Sequence, residues 1–172
     1  MTKIIVLPHD SGWAGEFVKI RAELEAALAV PGVALLGIEH VGSTSVEGLY
    51  AKPIIDIDIV VAKGNFSAAS EALAAIAYTH QGDLGIPSRE AFKYEGKEHL
   101  MRHNLYVCEE DSPELRRHLT LRNHLRENAE DRERYSAIKL EMAARYPYDI
   151  DSYLEGKGPV ILEIYDKYGV RS

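Results

Sequence analysis

A single cysteine, Cys108, stands among 172 residues, so no disulfide can close within the chain and the fold must rest on its apolar core. No apolar stretch approaches the roughly 20 residues that span a bilayer. The opening residues, MTKIIVLPHD, hold one lysine and an apolar run too short for a signal peptide. These shortages point to the cytoplasm and away from membranes. In that setting the NFS tripeptide at Asn65–Ser67 reads as a chance match to a glycosylation sequon. Positive charge is also in short supply: 20 Lys and Arg face 27 Asp and Glu, a formal net charge of −7. That balance argues against general nucleic-acid binding, which needs a basic face to neutralise phosphates. A small basic pocket for one nucleotide stays compatible with it. The P-loop and dinucleotide fingerprints are absent.

What is present is ordinary for a globular protein. With 46% hydrophobic and 27% charged residues, the chain can bury a core, and its length predicts one domain over 1–172. KIIVL (residues 3–7) reads as a short strand or extended arm. A helix follows, with Ser11 as N-cap and Trp13, Phe17, Ile20, Leu24 and Leu28 at helical spacing. Residues 33–41 and 54–61 read as strands, and NFSAASEALAAIA as a helix capped by Asn65 or Ser67. YTHQGDLGIPSRE, with two glycines and a proline, reads mostly as loop. AFKY and EHLMRHNLYVCE flank Glu95-Gly96-Lys97 as a hairpin.

Three helices are predicted after that. The first is opened by Asp111 with Glu114 three residues on, and the second spans about Ala129 to Tyr146. The third follows Gly158-Pro159 and stops at Gly169. The order defines an α+β protein with one mixed sheet and a helical C-terminal region.

The chemistry concentrates in IEHVGSTSVEGLYAKPIIDIDIVV, residues 38–61. Alternation along the second strand sends Asp56 and Asp58 to one face and Ile55, Ile57, Ile59 and Val61 to the other. The two acidic Cα atoms should stand roughly 6 to 7 Å apart. A solvated sheet face satisfies this pattern. So does a site where a divalent cation or a basic side chain relieves the repulsion between two carboxylates. Hard oxygen ligands at such spacing suit Mg²⁺ or Mn²⁺. Upstream, Gly42 permits an unusual backbone turn, and the N–H groups and hydroxyls of Ser43, Thr44 and Ser45 are suited to an anion. An ordinary turn with an N-cap has the same composition.

The order of strand, Gly-Ser turn and Asp-x-Asp strand resembles the signature of the GrpB family. The likeness extends to VLPHDSGWAGEFVKIRAEL, GDLGIPSREAF and RHNLYVCEEDSPELRRHLTLRNHLR, nearly the whole chain. It implies a nucleotidyltransferase-like fold, a minimal mixed sheet flanked by helices. In that wider superfamily the Gly-Ser turn holds nucleotide phosphates, and an Asp-x-Asp strand binds two metals with a third carboxylate on a neighbouring strand. Carried over, Gly42 and Ser43 take the phosphate role and Asp56 and Asp58 the metal role. In-line attack on an α-phosphate would follow.

Along HLMRHNLYV the polar face carries Arg102, Asn104 and Tyr106, where the family often has histidines at the last two positions. No carboxylate stands on that face, so one metal fits better than two. A carboxylate brought there by another segment, such as Glu98 or Glu163, would restore the two-metal site. Lys52 and Arg89 are further phosphate candidates, the second in a loop long enough to act as a lid. His99 and His103, about 13 Å apart on a strand, are a poor zinc pair. His40 reads as a scaffold residue and Cys108 as a small buried one. Arg116, Arg117, Arg122 and Arg126 share a helix, where a solvated face or an acidic ligand would account for them.

The expected function is therefore binding of a nucleotide or phosphorylated small molecule with Mg²⁺ or Mn²⁺, and nucleotidyl transfer. A catalytically silent binding or folding-support module on the same fold is the alternative, and phosphate-ester hydrolysis a third.

Overall fold

Alternate isoleucines make the central strand. In β2 (Ile55–Val61), Ile55, Ile57, Ile59 and Val61 are fully buried, the period-two burial of a strand with one face in a core. The computed structural model describes residues 1–171. The other strands are β1 (Leu35–Val41), β3 (Tyr78–Gly82), β4 (Glu90–Tyr94) and β5 (His103–Glu109). They form one 5-stranded mixed sheet in the order β1-β2-β5-β4-β3. β2 is antiparallel to β1 and parallel to β5, and β4 is antiparallel to both of its neighbours. A parallel pair requires a long crossover, which helix α2 (Phe66–Ala74) and the β3–β4 pair supply.

Helix α1 (Trp13–Leu28) buries Trp13, Phe17, Ile20, Leu24 and Leu28 in one cluster with the β2 isoleucines, Leu73 of α2 and Leu105 of β5. Truncating one such residue to alanine costs about 2–5 kcal/mol. Helices α3 (Pro113–Glu127), α4 (Ala129–Arg145) and α5 (Ile150–Tyr168) build a second cluster with Val46 and Leu49. They cover the sheet face that carries the aspartates. Among the described residues, no helix is long and apolar enough to cross a membrane.

Several local expectations need correction. The segment after Tyr78 contains a strand, β3, which buries only Tyr78 and so shows no alternation to read. The β4–β5 connection runs through residues 95–102 rather than a tight turn. Ser11 is not a cap. Asp10 instead accepts from the Gly12 N–H at 2.7 Å. Asn65 occupies the N-cap position of α2, but its amide bridges Ala34 N and Gly32 O and ties the helix start to the loop before β1. Ser112, not Asp111, caps α3, accepting from Leu115 N at 3.1 Å.

The largest difference is α5. It starts from the Asp149 cap and runs through Gly158-Pro159. Burial of Tyr153 before the proline and of Val160 and Ile164 after it outweighs the missing backbone donor. The first half of α5 then reaches the candidate site.

Candidate functional site

The bend between β1 and β2 depends on Gly42. Its φ is 72°, a left-handed value that side chains resist, and a Cβ there would lie 2.3 Å from Asp56 Oδ2. Asp56 therefore faces the turn at van der Waals range. The single 3-10 turn that follows (Ser43–Ser45) is pinned from several directions. Ser45 donates its hydroxyl to Gly42 O at 2.5 Å, and its carbonyl accepts two bonds from Arg126, at 3.0 and 2.8 Å. Thr44 Oγ1 lies 2.9 Å from His40 Nε2, and His40 stacks on Phe17. Burial, with Arg126 and Arg122 nearby, lowers His40 to about 4, so its ring is a neutral scaffold.

The expected anion-binding residues thus divide. Ser43 lines a hollow with Asp56, the Thr44 hydroxyl is engaged by His40, and the Ser45 hydroxyl is used internally. Three of the four helix arginines are structural as well, and Arg116 is exposed. Arg122 reaches Glu39 at 2.7 Å and His40 O, Arg126 holds Ser45, and Arg117 donates to Glu114.

Parallel pairing sets Asp56 opposite Asn104 and Asp58 opposite Tyr106. Asn104 Nδ2 donates to Asp56 Oδ1 at 2.9 Å. Asp58 is completely buried and accepts from His118 Nδ1 at 2.6 Å, while its other oxygen has no hydrogen-bond partner among the described residues. His118 Nε2 lies 3.2 Å from Glu114. Burial alone would lower His118, but hydrogen bonds to Asp58 and Glu114 prevail and raise it to about 9. Burial raises Asp56, with Asn104, Lys157 and His118 acting against it. It also pushes the Cys108 thiol up to about 12, with Asp58 adding to the effect. Cys108 is a buried, unreactive neighbour.

Two connected hollows open on Asp56. The narrower, about 200 Å³, is lined by Ser43, Asp56, Asn104, Lys52, Lys139 and Lys157, with Tyr153 at its wall. The wider, about 480 Å³, shares Ser43, Asp56 and Lys157 and adds Arg89, Tyr106 and an apolar wall that includes Leu154 and Ile161. Arg89 lies over the Tyr106 ring, 4.2 Å from its centroid. Arg102 is exposed and lines neither hollow.

Sequence reasoning did not find His118, Lys139, Lys157 or Tyr153. The only signal for the lysines was their spacing on the helical stretch, and α5 was expected to begin after Lys157. Lys139 is 2% exposed. Its ammonium donates to Ser43 Oγ and, at 2.8 Å, to Tyr50 O. Burial and the neighbouring Lys157 lower it well below the ordinary value.

A divalent cation needs anionic oxygens free to turn toward it. Asp56 has one oxygen occupied by Asn104, and Asp58 is held by His118. The position opposite Asp56 is an amide and the one opposite Asp58 a phenol. Glu98 is exposed, and Glu163 pairs with Arg134 at 2.9 Å. Glu114 is held by Arg117 and His118. The unpartnered oxygen of Asp58 and the Asp56 oxygen that Asn104 does not occupy are the features in favour of a metal. Against three lysines and an imidazolium, this donor set fits a pair of divalent cations poorly.

The sheet order, with the Gly-Ser turn leading into the acidic strand, is that of a nucleotidyltransferase-like fold. In fold alone the chain is similar to Cid1, solved in complex with its short product ApU, with a TM-score of 0.53 and 11% identity, covering 77% of this chain and 42% of that one. The chain belongs to the GrpB family, whose model ("GrpB protein") matches residues 3–167. It is similar to the crystal structure of the conserved protein GrpB from Enterococcus faecalis, with a TM-score of 0.78 and 29% identity over 95% of this chain and 99% of that one. It is also 33% identical over 156 residues to UPF0157 protein YqkA of Bacillus subtilis, covering 90% of this chain but only 44% of that relative's length.

Proposed function

We propose that the cleft binds a nucleotide or another phosphorylated small molecule, phosphate in the narrow hollow and the rest in the wider one. One observation carries this reading: Lys52, Lys139 and Lys157 converge with Ser43 on a hollow whose lining holds one carboxylate, Asp56. The lysines that do form carboxylate pairs, Lys19, Lys63 and Lys167, lie elsewhere. Unpaired, partly buried ammonium groups are costly unless an anion joins them. The half-apolar wall of the wider hollow suits a base or another flat organic body, and Arg89 over Tyr106 offers a stacking edge. Cid1's complex with ApU makes nucleotides the first ligands to try.

Between transfer and silent binding, the geometry favours binding. In-line transfer draws on carboxylates that are free to act, and here Asp58 is engaged by His118 while Asn104 stands opposite Asp56. The test is equilibrium binding of the common nucleoside triphosphates, monophosphates and sugar phosphates, followed by labelled-nucleotide turnover with the best of them. Saturable binding that weakens in Lys157→Gln supports the reading. Absence of binding by every compound removes it, and turnover would reinstate transfer.

A further inference from the structure

We infer that this cleft takes the phosphate of its ligand directly onto Lys52, Lys139 and Lys157, with no divalent cation between, and that His118 serves as the built-in counter-ion of Asp58. The inference rests on the phosphorylated-ligand reading above and specifies its chemistry.

Four observations meet at this point. First, the narrow hollow brings together three ammonium groups and one carboxylate. A phosphate dianion would complete that charge balance, whereas a divalent cation would add to the excess of positive charge. Second, Lys139 is positioned before any ligand arrives. Its ammonium is buried, held by Ser43 and Tyr50 O, and lies 4.6 Å from the Tyr135 ring centroid. Third, the Tyr153 hydroxyl is buried without a hydrogen-bond partner, and Tyr153 lines the same hollow with its ring near the ammonium groups of Lys52 and Lys157, 5.6 and 5.2 Å from its centroid. That hydroxyl is a buried donor left without an acceptor, on a ring that faces two cations with no carboxylate bridge. Fourth, all three lysines are pushed below their ordinary value by burial, Lys52 and Lys139 also by neighbouring Lys157, a cost that a bound anion relieves.

On the far side of Asp56, the imidazole of His118 occupies Asp58 Oδ2 from α3, and Glu114 braces its other nitrogen. One of the two Asp58 oxygens that the superfamily resemblance assigns to a metal is thus taken by a side-chain cation. The acidic pair is thereby split, Asp58 engaged within the scaffold and Asp56 left facing the turn and the lysines.

The experiment is calorimetric titration of the full chain with inorganic tripolyphosphate and with a nucleoside triphosphate, each in excess EDTA and again in excess Mg²⁺. Binding in EDTA at least as tight as in Mg²⁺ is expected, with about tenfold or greater weakening in Lys157→Gln and in Lys139→Met, the loss typical of a charged hydrogen bond. Binding that vanishes in EDTA and returns with Mg²⁺ or Mn²⁺ overturns the inference and leaves the phosphorylated-ligand reading standing. No binding under either condition overturns the inference, and the phosphorylated-ligand reading falls with it when the monophosphates and sugar phosphates fail as well. The contrast between EDTA and Mg²⁺ is read on the unaltered protein, so it does not depend on either variant folding.

Discussion

His118 bridges two carboxylates across the sheet–helix junction, with Nδ1 2.6 Å from Asp58 and Nε2 3.2 Å from Glu114. Asp58 belongs to β2 and Glu114 to the first turn of α3, so the imidazole binds the helix to the strand that carries the site. Both carboxylates are well shielded, which keeps this link stronger than an exposed ion pair.

A pH dependence follows from that link. His118 is raised from 6.5 to about 9, so its contribution is complete below about 6.5 and is lost as pH rises through about 9. Glu114 is lowered from 4.5 to about 2, chiefly by its hydrogen bond to His118. Its contribution is present above 4.5 and is lost as pH falls through about 2. The share of the urea-unfolding free energy carried by this link should therefore hold a plateau between these limits and fall on the alkaline side, while His40, lowered to about 4, adds its own loss as pH falls below 6.5. The alkaline fall should be absent in His118→Gln, and an identical profile in the variant would refute the assignment.

Removing the imidazole strands a buried carboxyl. His118→Ala should destabilise by about 3–5 kcal/mol at neutral pH, the usual result of deleting one partner of a buried pair. Asp58→Asn/His118→Gln, which leaves neutral partners on both sides, should recover part of that loss. Denaturant midpoints for Asp58→Asn, His118→Gln and the double variant measure the coupling.

Gly42→Ala should be harmful for a local reason. The new methyl would sit 2.3 Å from Asp56 Oδ2 at a backbone φ of 72°. A loss of about 1–3 kcal/mol is expected from the strained backbone alone. Displacement of Asp56 should also change ligand binding by more than that stability loss accounts for. Gly32→Ala, also at positive φ but with open space around it, is the control.

The α4–α5 contact has its own test. A Cβ on Gly156 would lie 2.1 Å from Met142 Sδ and 2.7 Å from its Cγ. Despite the higher helix propensity of alanine, Gly156→Ala should destabilise by about 1–3 kcal/mol through overpacking. Gly156→Ala/Met142→Val should restore much of it. Thermal midpoints suffice to distinguish the two outcomes.

Lys139→Met should leave the ligand-free protein at least as stable as the original while weakening phosphate binding. A buried ammonium without a carboxylate partner is a cost to the fold, and an apolar side chain of similar length removes it. A residue whose loss stabilises the fold and impairs binding has been retained for the ligand.

The sheet core and the acidic strand were legible because each rests on periodicity. Isoleucine alternation in residues 55–61 and the helical spacing from Trp13 to Leu28 both survive in the fold. The relation of Gly42 to Asp56 was also legible, since a strand, a glycine turn and a second strand leave few ways to fold back. Resemblance to the GrpB family supplied the topology that periodicity alone leaves open. The lysine wall was not legible. Lys139 and Lys157 reach Ser43 and Asp56 only through helix packing, and a lysine on an amphipathic helix looks the same whether it meets water or a pocket. Pro159 hid the first half of α5, because the burial that overrides a proline depends on tertiary contacts. His118 was hidden among arginines. Its carboxylate partner on β2 is 60 residues away in sequence.

The parallel register that sets Asp56 beside Asn104 joins residues 48 apart. The intervening chain has to close before either side chain meets the other, an entropic toll that slows pairing of distant strands. β1 and β2 can zip locally, but the cleft has no floor until β5 docks and no lysine wall until α4 and α5 fold over it. Refolding followed by ligand capture should therefore show binding competence emerging in the last kinetic phase, after most secondary structure has already returned.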